Sequence, residues 1–415
     1  MKKTNILFSL LAIATFVIAL SGCTKPKDGA EGAAGKDANE SCKLCHNATV
    51  VDAIAQEYDF SKHFTGLAAE EEVGNTTCAP CHESEGFKYV IANNTPATFS
   101  ILTGGTTYTN NYQATQATSI GNISCFTCHS SLHTTYGSAD LPALTTTAAV
   151  PMTMWGGTKT INLTADGGMS NLCVRCHQPR PITTSATSTG LGNVMDYAAL
   201  VTNPTDTFYK NYSTSTNKVS LSFRSGNHYG SVGAIYAGVG GIEFGTGYSN
   251  SFHTNNASCQ DCHMATRNIA AGGHTFVAKG NYNGCNVTGC HTGMSATNTD
   301  VVNTKAAIKT LLNNLATKIN TLGDGTNPVL MVDATEANLW VGSTTGNYDG
   351  YLNIYNASSN PNGFYGKTGN PKFPNLTNAQ WGTIINFQLS LREYSLGIHN
   401  TNYVTTLLTN SIAAW

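Results

Sequence analysis

Charge is scarce in this chain: Asp, Glu, Lys and Arg make up 11% of its 415 residues, with 22 basic side chains against 24 acidic ones. There is no basic excess to follow a phosphate backbone, so nucleic-acid partners are excluded. Long apolar runs are equally rare. A single one, residues 6–20, occurs in the whole chain, which excludes a polytopic membrane channel. No repeat recurs outside the cysteine motifs described below, so a solenoid is not expected. What the chain does hold in quantity is 13 Cys and 12 His.

Lys2 and Lys3 precede the apolar run, and Ser21, Gly22 and Cys23 follow it. A charged start, a short apolar stretch and small residues read as a signal peptide over residues 1–22. The stretch falls short of the roughly 20 residues a spanning helix needs. Leu20-Ser21-Gly22-Cys23 resembles the lipobox of bacterial lipoproteins, which implies that Cys23 is lipidated and opens the mature chain. Such a lipid anchors a protein to a membrane without spanning it. Residues 24–40 are polar and rich in Gly and Ala; Gly29, Gly32 and Gly35 lie three apart, but the run is too short and too poor in proline for a collagen helix. Residues 23–40 therefore read as a flexible, lipid-anchored linker. Thr24, where an Asp would retain a lipoprotein at the inner membrane, favours the outer membrane, facing periplasm or cell surface.

The other 12 cysteines form six close pairs, each followed at once by His. Five read Cys-x-x-Cys-His: Cys42/Cys45/His46, Cys78/Cys81/His82, Cys125/Cys128/His129, Cys173/Cys176/His177 and Cys259/Cys262/His263. The sixth is wider, Cys285 to Cys290 and His291. In a c-type haem site two thiols form thioethers with the porphyrin and the adjacent imidazole ligates the iron. Zinc sites, disulfides and redox dithiols also use paired cysteines, but none requires His directly after the second. With 12 His in 415 residues, chance fills one given position with a probability of about 0.03, so six such accidents amount to roughly one in a billion. Six covalent c-type haems are the expected cofactors, with the wide sixth motif the one that departs from the pattern.

Six histidines remain: His63, His133, His228, His253, His274 and His399. A lone histidine is ordinarily a surface residue or a hydrogen-bonded core residue. Here six spare imidazoles face six haem motifs in a chain otherwise poor in ionisable groups, which reads as six distal axial ligands. His133 lies four residues after His129; on a helix both would point the same way, so His133 should serve a neighbouring iron. His253 and His274 bracket the fifth motif and should also serve adjacent irons. Methionine is the other known sixth ligand. Met264 and Met294 sit too near their own proximal His and read as packing residues, while Met152, Met154 and Met169 stay open as ligands.

Between motifs the chain is rich in Thr, Asn, Ser and Gly, notably over 91–122, 138–168 and 178–258, which read as loops with short strands. The polypeptide supplies little core there, so haems are expected to supply it. After 300 the motifs stop and helices become clear. Ile308, Leu311, Leu312, Leu315, Ile319 and Leu322 share one helical face, with Gly323 as a stop. A Thr377-x-x-Gln380 capping box opens a second helix carrying Trp381, Ile384, Ile385, Phe387 and Leu391. A third runs from about Tyr403 to Ala414. The fold class expected is a mixed, mostly irregular multihaem cytochrome c fold: short helices at the motifs, loop and short-strand insertions, a hexahaem domain at 41–299 and a helical region at 300–415 completing it.

Glu393-x-Ser395-x-Gly397-Ile398-His399-Asn400, followed by Tyr403 and Leu407-Leu408, resembles the closing segment of the multihaem family that includes pentahaem nitrite reductases and octahaem relatives. Cys262-His263-Met264 followed by Gly272-Gly273-His274 is similar to that family's inner haem region. The resemblance covers the final third of the chain, and it implies a distal ligand role for His399. The family's catalytic Cys-x-x-Cys-Lys motif is missing.

The leading expectation is an electron carrier rather than an enzyme: six irons with two imidazoles each have no open position for substrate. Unidentified redox donor and acceptor proteins would be its partners, with the membrane contacted through the lipid. One alternative is a multihaem reductase of nitrite, hydroxylamine or a sulfur oxyanion, which would need one spare His not to ligate; His228 and His63 have the least sequence support. The other is self-assembly into a conductive filament, against which the lipid anchor argues.

Overall fold

A computed structural model describes residues 46–47, 49–66, 78–93, 99–101, 108–110, 121–130, 134, 140–155, 157–179, 197–209, 226–322, 329–333, 342–343, 346–352 and 376–415. The signal peptide, Cys23, the linker, Cys42, Cys45, His133 and Gly323 lie outside these residues.

The motif-bearing part begins with α1 (Val51–Asp59) and α2 (Lys62–Thr65), whose N-cap Ser61 is fully buried. Next come α3 (Ala79–His82), α4 (Ser84–Ala92), the strand pair β1 (Phe99–Ile101) and β2 (Tyr108–Asn110), and α5 (Cys125–Cys128). A second antiparallel pair, β3 (Val150–Pro151) with β4 (Thr160–Ile161), leads into α6 (Ser170–Cys176). Then follow α7 (Tyr197–Thr202), β5 (Thr207–Tyr209), α8 (Val232–Ala237), α9 (Phe252–Asn256) and α10 (Cys259–His263). The helices α7, α8 and α9 fall within 178–258, where loops and strands were expected. Each is at most six residues long, too short for a helical period to stand out.

The C-terminal region follows its expected helices. The first, α11 (Thr299–Asn320), buries Ile308, Leu312, Leu315 and Ile319, and Leu311 packs partly against the core. A three-stranded antiparallel sheet follows, β6 (Leu330–Asp333), β8 (Gly346–Leu352) and β7 (Gly342–Ser343), with β8 in the middle. The Gly, Asn and Asp of Gly346–Leu352 hide this strand from propensity. β9 (Leu376–Thr377) pairs with β5 and runs into α12 (Asn378–Leu391), and α13 (Thr401–Ala414) ends the chain.

α12 is the axis of the molecule. Its cap is reciprocal: the Gln380 N–H donates to Thr377 Oγ1 (3.2 Å) and the Thr377 N–H to Gln380 Oε1 (2.9 Å). Every residue of the helix except Gln380 is buried, which is possible because α11, α13 and segment 234–244 surround it. Trp381 stacks on Phe208 with centroids 5.3 Å apart, and a Cβ at Gly382 would stand 2.7 Å from Phe244, so only glycine lets the two elements approach. Asn386 satisfies both backbone groups of Ile242: the Ile242 N–H donates to its Oδ1 and its Nδ2 donates to the Ile242 carbonyl, each at 2.8 Å.

This core corrects the expectation that the polypeptide supplies little of it before residue 300. Val150, Met152, Met154, Ile161, Leu163, Ile235 and Ile242 are buried in the same cluster as the C-terminal helices. Met152 and Met154 are thus buried core residues. Met169 precedes α6 as its N-cap and is exposed. No helix among the described residues is long and apolar enough to cross a membrane.

Candidate functional site

Each described cysteine motif is a tight turn closed by its own backbone. The N–H of His82, His129 and His177 donates to the carbonyl of the first cysteine of its motif at 3.0, 2.9 and 3.1 Å. In the wide sixth motif the His291 N–H makes the same bond to the Cys285 carbonyl at 3.2 Å. The two extra residues are absorbed in turns, and the histidine backbone keeps its bond to the first cysteine. Polar caps fix two of the entries. At α10 the Ser258 N–H donates to Asp261 Oδ2 and the Asp261 N–H to Ser258 Oγ, and before α5 the Ser124 N–H donates to Thr127 Oγ1.

The fold brings the histidines together in twos. His63 lies 6.0 Å from His177 between ring centroids, His228 6.3 Å from His82, His274 6.4 Å from His129, His253 6.0 Å from His291, and His399 6.3 Å from His263. Every pair joins one motif histidine to one spare histidine. Two imidazoles bonded to opposite sides of one iron, with metal–nitrogen bonds of about 2 Å, set their centroids about 6.3 Å apart. The spacing fits that arrangement in all five cases. Among the described residues no three His, Cys, Asp or Glu side chains converge as a protein-only metal site requires. Two protein ligands per site match a cofactor whose own ring supplies the remaining four.

Five of the second ring nitrogens are also committed. Nδ1 of His177 bonds to the Gly230 carbonyl (3.3 Å), His228 to Tyr229 (2.7 Å), His253 to Ile398 (3.0 Å) and His263 to Phe276 (2.8 Å). A carbonyl only accepts, so Nδ1 carries the proton and Nε2 presents its lone pair to the partner ring. His399 Nδ1 bonds instead to Glu393 Oε2 at 2.6 Å. His129 Nδ1 is buried without a partner. Burial, with His177 and His263 nearby, lowers His63 to about 4, and burial also lowers His177, His263 and His274. Neutral imidazole is the form that ligates metal.

The thiols are held protonated for the most part. Burial raises Cys128 to about 11 and Cys262 to about 12. Cys173 is hydrogen-bonded to Cys259 of the next motif, which raises the first and lowers the second to about 7, and Cys176 is raised by its bond to Cys81. None of the described cysteines is in a disulfide. The same contacts set the fourth motif between the second and the fifth, since α6 packs on both α3 and α10.

Local structure explains where the spare histidines point. The His274 N–H donates to Glu57 Oε2 (2.9 Å), and Glu57 also faces Arg267 at 3.7 Å, which ties the Gly272-Gly273-His274 turn to α1. Gly272 has φ +93, a conformation reserved for glycine. His129 is extended at the end of α5 (φ −105, ψ 126), so the helical premise behind the His133 expectation fails; His129 faces His274. His63 and His228, which had the least sequence support, each face a motif histidine as closely as the others do. Glu393 was missed as a functional residue, although it stands in the quoted motif; its six-residue separation from His399 gives no periodic signal.

Comparison of the chain with protein-family models, with curated proteins and with solved structures found no match.

Proposed function

We propose that the chain is a lipid-anchored c-type cytochrome that carries six covalent haems and transfers electrons between redox partner proteins at the outer membrane. The observation that carries this reading is the set of five histidine pairs, each one motif imidazole opposite one spare imidazole at 6.0 to 6.4 Å. The cysteines Cys42, Cys45, Cys78, Cys81, Cys125, Cys128, Cys173, Cys176, Cys259, Cys262, Cys285 and Cys290 would hold the six groups. His46, His82, His129, His177, His263 and His291 would ligate on one side, and His63, His133, His228, His253, His274 and His399 on the other. Each haem supplies a one-electron ferric/ferrous couple. These side chains would hold the groups; burial keeps His63 neutral, and carbonyl bonds at Nδ1 fix the tautomers of His177, His253 and His263. With an imidazole from each side at these five sites, a bound iron would have no position left for substrate, which favours a carrier over a reductase.

Pyridine haemochrome quantification with intact mass tests the proposal. Six haems, a diacyl group on Cys23 and no thiol open to alkylation after denaturation are expected. A chain without haem, or with twelve alkylatable thiols, ends this reading. A sizeable high-spin ferric signal in electron paramagnetic resonance would move it to the reductase.

A further inference from the structure

Four of the five Nδ1 bonds described above end on neutral backbone carbonyls, and the fifth, from His399, ends on the carboxylate of Glu393. Building on the haem-binding reading, we propose that Glu393 is a positioning residue that lowers the reduction potential of the haem held between His263 and His399.

The geometry makes this carboxylate a strong partner. Its side chain is fully buried, at 0% exposure, and the His399 bond is 2.6 Å long. Ser395 Oγ donates to Oε2 (2.6 Å) and the Gly397 N–H donates to Oε1 (3.1 Å), so donors face both oxygens. His399, Ser395 and Gly397 thus place three donors on the two oxygens, the environment a carboxylate group accepts. The backbone bends around this group. Tyr394 and Leu396 both have positive φ, 62° and 54°, in a turn that also returns the His399 N–H to Ser395 Oγ at 3.0 Å. Non-glycine residues hold such angles only where the surroundings impose them, and here the carboxylate is what the turn wraps. Neighbouring Arg392 is turned away, its guanidinium 4.1 Å from the Tyr229 ring centre and donating to the Asn227 carbonyl.

A carboxylate on Nδ1–H draws the proton toward itself and raises the electron density at Nε2, which makes the imidazole a stronger donor. A stronger donor stabilises the more positive ferric state over the ferrous state, and the potential falls. A carbonyl does the same more weakly because it carries no net charge.

The test is an optical potentiometric titration of the full-length, haem-loaded Glu393→Gln variant, with haem counted by pyridine haemochrome. One sixth of the absorbance change is expected to move to higher potential, with the reduction equilibrium of that haem shifted at least about tenfold; a tenfold shift is about 59 mV for a one-electron couple. One sixth of the low-spin resonance signal should change anisotropy at the same time. Ser395→Ala removes a donor that competes for the carboxylate, so its titration should move the same sixth to lower potential. Glu393→Asp should restore most of the wild-type curve. Should Glu393→Gln lose haem, the Ser395→Ala titration decides the question alone. Six retained haems with unmoved titrations overturn this inference and leave the haem reading intact, whereas a wild-type chain without haem overturns both.

Discussion

The imidazole of His63 stands 6.0 Å from that of His177, edge toward face, and the Phe276 ring lies 4.8 Å from that of His63, also edge to face. α2, a single turn capped by buried Ser61, holds it there, and the Phe64 N–H bonds to Ser61 Oγ at 3.3 Å. Nothing in the flanking sequence marks this histidine. If it ligates opposite His177, His63→Ala opens one of six irons. The oxidised variant should keep six haems and acquire a high-spin ferric signal worth one sixth of the total. An unchanged low-spin spectrum would remove His63 from the ligand set.

The sixth motif closes with the same His-to-first-Cys backbone bond as the second, third and fourth, and His291 meets His253 at 6.0 Å. It should therefore carry haem despite its wider spacing. The double variant Cys285→Ser with Cys290→Ser is expected to lose one haem mass of six while the rest of the chain stays folded. A mass equal to that of the wild type would mean that this motif carries none.

Much of this arrangement was legible in sequence, and the division follows the range of the interactions. The motif triplets, the Thr377 cap and the apolar face of α11 are local, so spacing alone reveals them. The partners of the spare histidines are not local. His274 finds His129, and His253 finds His291 rather than the fifth motif between them, through turns built on Gly272 and on the Glu57 anchor. Residues 150–163 and 234–244 lie in stretches that read as loops because Gly and polar residues interrupt their apolar side chains before any sustained period builds up. Those apolar side chains pack in or against the core around α12.

That core yields a stability prediction. Asn386 is fully buried, binds both backbone groups of Ile242 and donates to Ser411 Oγ at 2.8 Å. Asn386→Ala leaves those buried groups without partners and should cost about 3 kcal/mol. Thr377→Ala removes only the cap of α12 and should cost about 1 kcal/mol. Denaturant titration followed by circular dichroism on the haem-loaded protein checks both. An Asn386→Ala variant no less stable than Thr377→Ala would show that α12 is not held to segment 234–244 by this side chain.

Among the described residues the fourth motif has more motif neighbours than the sixth, and this sets an order on what each removal disturbs. Cys176 is hydrogen-bonded to Cys81 and Cys173 to Cys259, and Cys128 lies near both. Around the sixth motif, Cys285 and Cys290 bear on Cys262. Charges interact inversely with distance, so reduction of one haem should depress the potential of whichever haems adjoin it. Replacing Cys173 and Cys176 with Ser should therefore shift the titrations of the haems on the second, third and fifth motifs. The Cys285 and Cys290 replacement should shift mainly the haem on the fifth. Equal disturbance by the two double variants would contradict a central fourth motif, and a larger disturbance by the second pair would reverse the order proposed.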